Sequence, residues 1–181
     1  MEFDYIIVGA GSAGCVLANR LSADGRHRVA LFEAGGKDSY PWLHIPVGYF
    51  KTMGNPAMDW RYRTEPDPGL NGRAINWPRG KVLGGSSSIN GLLYVRGQPQ
   101  DFDRWRQLGN PGWAWDDVMP LFRRAENWEG EPSAVRGTGG ALNVSESRVQ
   151  RPVIDAWVEA AANLGYKRNY DYNGEEQEGV G

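Results

Sequence analysis

Residues 4–22 read "DYIIVGAGSAGCVLANRLS". The first five form a short β-branched and aromatic run, the pattern expected of a strand buried on both faces of a parallel sheet. From Ser12 to Ala23 the period changes, and Ala13, Val16, Leu17 and Leu21 fall on one helical face. A "DGR" turn follows, and "RVALFE" (28–33) reads as a second buried strand. Strand, helix and parallel strand within about 30 residues make a βαβ unit, whose crossover is expected to be right-handed.

The glycines between strand and helix carry the first chemistry. Gly9 permits a tight turn, and Gly11 lets the main chain approach a pyrophosphate. That pyrophosphate would rest on the helix N-terminus near Ser12 and Ala13. Gly14 lets the helix pack closely on the strand. Glu33, followed by Ala34, stands about 20 residues after the last motif glycine, where an acid would bind ribose hydroxyls. A tight turn in a flavodoxin-like domain would explain the glycines without a ligand. Motif, flanking elements and acid together favour an ADP-containing dinucleotide. At this point NAD and FAD remain equal.

Composition bounds the rest. The 181 residues suffice for one domain with a buried core, and 40% hydrophobic with 23% charged residues is ordinary for a folded chain. A net charge of −2 gives no electrostatic reason to expect nucleic acid or an anionic membrane as partner. The single cysteine, Cys15, excludes an internal disulfide and is expected to be a small buried residue in a reducing compartment. "MEFDY" has no basic n-region, and the most apolar run is too short and glycine-broken to cross a membrane. The expectation is a soluble, cytoplasmic protein.

Beyond the βαβ unit of residues 1–34, residues 35–78 hold six prolines (41, 46, 56, 66, 68 and 78) among scattered aromatics. They read as an extended excursion with little regular structure. Residues 98–181 are expected to be a helical region leading into a substrate domain that lies mostly beyond this chain. One helix is expected over 116–127, with Val118, Leu121, Phe122 and Ala125 on one face. Another is expected over 152–164, burying Val153, Ala156, Trp157 and Leu164. "GTGGALNVS" looks like a loop feeding a short strand. No third strand matches the first two, and "NYDYNGEEQEGVG" closes no element. The α/β fold is therefore expected to be incomplete in this chain, with the remainder of a longer chain or a complementary polypeptide completing it.

A second glycine-rich segment lies at 79–97, "RGKVLGGSSSINGLLYVRG". Its interleaved apolar residues are unlike a flexible linker. It resembles the signature of the glucose-methanol-choline (GMC) oxidoreductases, FAD enzymes with a Rossmann-like FAD/NAD(P)-binding fold. "LFEAG", "MDWRYRTEP" and "NGEEQEGVG" also look like family segments, so the resemblance runs along essentially the whole chain, most like the bacterial alcohol and choline dehydrogenases. It implies that Arg79, Val82, Gly84, Gly85 and Ser86 line the diphosphate and ribityl chain. It also implies that Asn90, Gly91, Leu92 and Leu93 reach the isoalloxazine, with Trp60 of "MDW" near FAD. Some members attach FAD covalently through a histidine directly before the asparagine. Ile89 stands there, so FAD is expected to be non-covalent.

The implied reaction is oxidation of an alcohol by hydride transfer to the flavin, the hydroxyl proton going to a base. In the family that base is a histidine near the far C-terminus. His27 is expected at the surface and His44 matches no family base, so no catalytic residue is assigned here. The serines at 86–88 lack a nucleophile-elbow pattern, and no metal-ligand spacing occurs. Asp101, Asp103, Asp116 and Asp117 are expected to cap helices and face solvent. A non-catalytic FAD-binding fragment or subunit, or lyase or photodecarboxylase chemistry on the same fold, are the alternatives. Gln98 to Asp103 and the excursion could close over a substrate.

Overall fold

Tyr5–Val8 (β1) and Val29–Phe32 (β2) pair in parallel, in register from Tyr5↔Val29 to Val8↔Phe32. Ser12–Ser22 (α1) connects them and packs against both. The computed structural model describes residues 2–181 and divides them into two compact units, one ending at Leu93 and one of Tyr94–Gly181. The break falls inside the second glycine-rich segment.

The βαβ unit forms where the sequence puts it, but its burial differs from expectation. Only Ile7 and Ala30 of the two strands are buried, while Ile6 is 65% and Val8 85% exposed. The cause is that the sheet has two strands among the described residues, so each strand keeps an unpaired edge and one face has no helix. On α1, Val16 and Leu17 are more than half exposed, and Gly14 is the buried residue. The helix lies glycine-side down on the strands. Cys15 is exposed rather than buried, its thiol donating to the Ala10 carbonyl at 3.3 Å.

The excursion is largely irregular, as its prolines dictate. It contains 3-10 turns at Pro41–His44, Pro46–Gly48 and Pro68–Leu70, and a single helical turn at Tyr49–Thr52 (α2). Tyr62–Arg63 (β3) and Asn76–Trp77 (β4) make a small antiparallel ladder. Met58 of this excursion packs with Val82 and Ile89 of the second glycine segment, and Tyr40 and Leu43 lie against them. That cluster is the core of the unit.

The Tyr94–Gly181 unit contains Pro99–Gln107 (α3), Trp115–Ala125 (α4), Glu126–Trp128 (β5), Leu142–Val144 (β6) and Pro152–Asn163 (α5), with β5 parallel to β6. α3 is foreshadowed only by the helix caps expected at Asp101 and Asp103, without bounds. It starts where Asp101 accepts from the Gln98 N–H at 3.0 Å, and Asp117 caps α4 in the same way from Ala114. Asp103 accepts from the Trp115 N–H at 3.0 Å and so ties α3 to the start of α4. Phe102, buried, stands 5.4–5.7 Å from the rings of Trp105, Trp115 and Phe122.

The stripe expected to be buried on α5 faces outward. Val153 is 74%, Trp157 63% and Leu164 80% exposed, and Ala156 is exposed too. Val158 is buried instead, with Ala161 and Ala162 partly covered. The helix is apolar nearly all round, so period alone offers two stripes. The smaller residues at i, i+3 and i+4 take the close contact.

Candidate functional site

The two glycine-rich segments meet. Gly84 donates its N–H to the Ala10 carbonyl at 2.8 Å, and a β-carbon on Gly85 would stand 2.9 Å from the Gly11 Cα. Gly84 (φ +91°) and Gly85 (φ +59°) both occupy the left-handed region, where a side chain is strained. Any β-carbon on Gly80 would overlap the Gly85 carbonyl, and one on Gly35 the Lys81 carbonyl. This is why so much glycine sits in one place: three stretches of main chain run in van der Waals contact.

Serines complete the loop. Ser86 Oγ accepts from the Gly80 N–H at 3.0 Å, Ser87 Oγ donates to the Gly84 carbonyl at 2.6 Å, and Ser88 Oγ donates to the Leu83 carbonyl at 2.8 Å. The segment is thus hydrogen-bonded rather than flexible. Val82 bridges Gly36 in parallel, and its side chain is 2% exposed in the core. Its carbonyl accepts from the Gly85 N–H at 2.7 Å, so the residue packs and ties the loop.

At the first motif, Gly9 turns with φ +96° and donates to the Phe32 carbonyl at 2.7 Å. Gly14 has no room for a β-carbon against the Gly9 carbonyl, whereas above Gly9 and Gly11 nothing lies within 4 Å. α1 begins at Ser12 with no side-chain cap and no acid in its first turn. Its first N–H groups, at Ser12, Ala13 and Gly14, therefore present a positive dipole end to open space. Glu33 braces this turn, its Oε2 accepting from the Ala10 N–H at 2.8 Å and its Oε1 from the Gly35 N–H at 2.9 Å. Each carboxylate oxygen keeps a second lone pair for a further donor. Ala34 is exposed beside it.

Asp59 is a site residue that the sequence reading did not single out. It is 3% exposed, and its carboxylate accepts from the N–H groups of Gly54 (2.6 Å), Arg61 (2.9 Å) and Arg79 (3.0 Å). Burial, the largest single influence, opposes its ionisation. The N–H donations of Arg61, Gly54 and Arg79 together outweigh it and hold the carboxyl below the usual aspartate value. One carboxylate thereby joins the excursion to the start of the second glycine segment. The sequence signal was its place in "MDW", directly before Trp60.

Trp60 donates its main-chain N–H to the Arg79 carbonyl at 2.9 Å and stacks on Tyr62 at 5.9 Å and 3°. Lys81 Nζ lies 4.7 Å over the Trp60 ring, and the Arg79 guanidinium 5.0 Å over Trp77. Asn90 Oδ1 accepts from the Leu92 N–H at 3.1 Å, holding Leu92 at φ +64°. Leu92 is 58% and Leu93 81% exposed, and Gly91 has open space at its α-carbon.

A cavity of about 180 Å³ lies between this last turn and the excursion. Leu43, Ile45, Pro46 and Leu92 give it apolar walls, and His44, Tyr49, Ser88 and Asn90 its polar groups. His27 is exposed and meets Tyr5 edge-on at 5.2 Å, as a surface histidine. Among the described residues, no group of three or more His, Cys, Asp or Glu could hold a metal, and no helix is long and apolar enough to cross a membrane.

The residues fit an FAD-type dinucleotide on three counts: an uncapped helix end, open glycine faces beside it, and an acid with free lone pairs at the adjacent strand end. Comparison with known proteins agrees. The chain is 50% identical to the oxygen-dependent choline dehydrogenase of Sinorhizobium fredii and 48% identical to that of Brucella ovis, over all 181 residues and 33% of each relative. It therefore spans about a third of the length of the curated relatives it matches. Among solved structures, pyridoxine 4-oxidase from Mesorbium loti superposes with a TM-score of 0.91 at 38% identity, over 98% of this chain and 35% of that one. An FAD-dependent oxidoreductase from Chaetomium thermophilum superposes with a TM-score of 0.79 at 30% identity, over 94% and 31%. The GMC oxidoreductase model matches residues 3–181. The glycine cradle, the βαβ unit and the match along the chain lead to one conclusion: this chain belongs to the GMC oxidoreductase family.

Proposed function

We propose that this chain forms the FAD-binding portion of an enzyme that oxidises an alcohol. The observation that carries the reading is the Gly84–Ala10 hydrogen bond, which sets the second glycine segment against the open face of the first. The names of the relatives, choline dehydrogenase and pyridoxine 4-oxidase, support alcohol oxidation.

The roles follow from chemistry. The N–H groups at the start of α1 hold the diphosphate, with Gly9, Gly11, Gly84, Gly85 and Ser86 allowing close approach. Glu33 accepts from ribose hydroxyls while bracing the turn. Arg79 supplies positive charge, and Asn90 to Leu93 lie along the isoalloxazine. Trp60, held by Arg79, packs near the cofactor. Bound in this cradle, FAD supplies the hydride acceptor. No residue of this chain is proposed as the base, because His27 is an exposed surface residue and His44 matches no base position of the family. Ile89 is 2% exposed in the core and offers no nucleophile, so FAD is held without a covalent bond.

The test is titration of the protein with FAD, followed by flavin fluorescence, and then acid precipitation. Saturable quenching and complete release of flavin into the supernatant support the reading. Absence of binding overturns the cofactor assignment, and flavin retained in the pellet overturns the non-covalent one. Anaerobic bleaching of the flavin by an alcohol, in the protein with any longer natural chain intact, separates an oxidoreductase from a flavin carrier or a lyase.

A further inference from the structure

Asparagine followed by glycine occurs three times, at Asn71–Gly72, Asn90–Gly91 and Asn173–Gly174. Asparagine is thermolabile, and before glycine its side chain can rearrange without an enzyme. The glycine nitrogen attacks the asparagine Cγ while its N–H proton passes to solvent base. The Cγ–Nδ2 bond then breaks, ammonia leaves, and a succinimide ring remains. Water opens that ring to aspartate or isoaspartate, with nothing oxidised or reduced. Glycine favours the attack because no β-carbon shields its nitrogen. A free glycine N–H, an amide that holds no bond through its nitrogen, and access for solvent all speed the reaction.

The fold treats the three pairs differently. Gly72 donates its N–H to the Asp67 carbonyl at 2.9 Å, so the nucleophile beside Asn71 is tied. At Asn173 every group is engaged. Gly174 donates to the Asp171 carbonyl at 2.9 Å, Asn173 Nδ2 to the Tyr94 carbonyl at 2.7 Å, and Asn173 Oδ1 accepts from the Arg96 N–H at 2.8 Å. Asn173 is also buried.

At Asn90 these restraints are missing. Asn90 and Gly91 are exposed, and among the described residues neither the Gly91 N–H nor Asn90 Nδ2 has a partner. A β-carbon on Gly91 would meet nothing within 4 Å, so solvent reaches the nitrogen. The one bond that the Asn90 side chain makes assists the attack: the Leu92 N–H donates to Oδ1 at 3.1 Å. Negative charge develops on that oxygen as Cγ becomes tetrahedral, and a fixed N–H donor stabilises it.

We propose that Asn90–Gly91 is a self-modification site, where succinimide formation converts Asn90 to aspartate or isoaspartate while the stretch is free of ligand. Aspartate adds a negative charge. Isoaspartate lengthens the main chain by a methylene group next to the φ +64° turn at Leu92. Either product alters the stretch assigned above to the isoalloxazine. That consequence rests on the cofactor reading; the conversion itself does not.

The test holds the protein in mildly alkaline buffer and follows residues 71, 90 and 173 by peptide mass spectrometry of one digest. Enzymatic methylation identifies isoaspartate. Asn90 is expected to convert about tenfold faster than Asn71 and Asn173, whose glycine N–H groups must first give up a hydrogen bond. In urea, where the fold no longer separates them, the three rates should converge. Gly91→Ala shields the nitrogen with a β-carbon for which there is space, and should slow conversion at residue 90 about tenfold. Asn71 or Asn173 converting as fast as Asn90 in the folded protein overturns the site. So does a ranking that urea leaves unchanged, or an unslowed G91A. Saturating FAD should protect Asn90 and leave Asn71 as it was. Conversion at Asn90 that continues undiminished with FAD bound, as read by flavin fluorescence, overturns the flavin placement of this stretch alone. The rates without FAD still decide the modification.

Discussion

In the unit ending at Leu93, loops are held by main chain against main chain, with Gly35, Gly80 and Gly85 leaving no room for side chains. In the Tyr94–Gly181 unit, comparable loops are held by charged side chains out of contact with water. Glu126 is fully buried, bonding Arg96 at 2.6 Å, Arg136 at 2.6 Å and the Gly137 N–H at 2.8 Å. Arg136 continues to Asp171 through two hydrogen bonds, at 3.1 and 2.5 Å, and Asn173 bonds the main chain of Arg96 and Tyr94. The first arrangement leaves main-chain donors and open surface for a ligand. The second uses its polar groups on itself, and among the described residues no buried side-chain polar atom is left without a partner. The cradle thus relies mostly on main chain, with single carboxylates at Glu33 and Asp59, and the clamp on paired charges.

Breaking the clamp should have the largest effect. Glu126→Gln leaves two buried guanidinium groups without their shared charge, and should destabilise the Tyr94–Gly181 unit by about 3–5 kcal/mol. Urea denaturation followed by tryptophan fluorescence measures this, and a loss under about 1 kcal/mol would mean the cluster is solvated. In the cradle, Gly85→Ala adds a β-carbon 2.9 Å from the Gly11 Cα at a positive φ. Overpacking of this kind costs about 1–3 kcal/mol. Its signature should be FAD affinity reduced more than tenfold, with the clamp's unfolding transition unmoved.

Asp59 lets the comparison be sharpened by pH. Its carboxyl titrates lower folded than unfolded, so its contribution to stability is fully present above the unfolded value of about 3.9. That contribution fades as pH falls through the lower, folded value. Asp59→Asn should cost the first unit about 1–2 kcal/mol at neutral pH, because one charged acceptor of three N–H groups is lost. The variant should also show a flatter decline of stability below pH 4 than the parent. An identical acid profile in both proteins would remove Asp59 as the tie between excursion and glycine segment. The smallest effect is expected from Arg168→Ala, which removes an exposed ion pair with Glu159 and should leave the thermal midpoint of either unit in place.

Much of the cradle was legible in the sequence, because its determinants are local. A glycine pattern between a period-2 run and a period-3.6 run fixes strand, turn and helix within a few residues, and Glu33 follows at its expected distance. The apolar residues interleaved in 79–97 likewise signalled an ordered segment. Asp59 escaped notice because its three partners span residues 54–79, and nothing local marks an aspartate as buried. The clamp was invisible for the same reason: Arg96, Glu126, Arg136 and Asp171 are scattered among many charged residues that face water.

The sequence by itself determined the βαβ unit, the irregular excursion, two of the three long helices after residue 93, and the family. Those features rest on short-range sterics, hydrogen-bond periodicity and glycine's missing β-carbon. Tertiary structure decided which stripe of α5 is buried, that β1 and α1 keep apolar surface exposed, and that Arg96, Glu126 and Arg136 share one buried cluster with Asp171 at its edge. Burial depends on which neighbours arrive, and an apolar residue carries the same code whether or not a partner covers it.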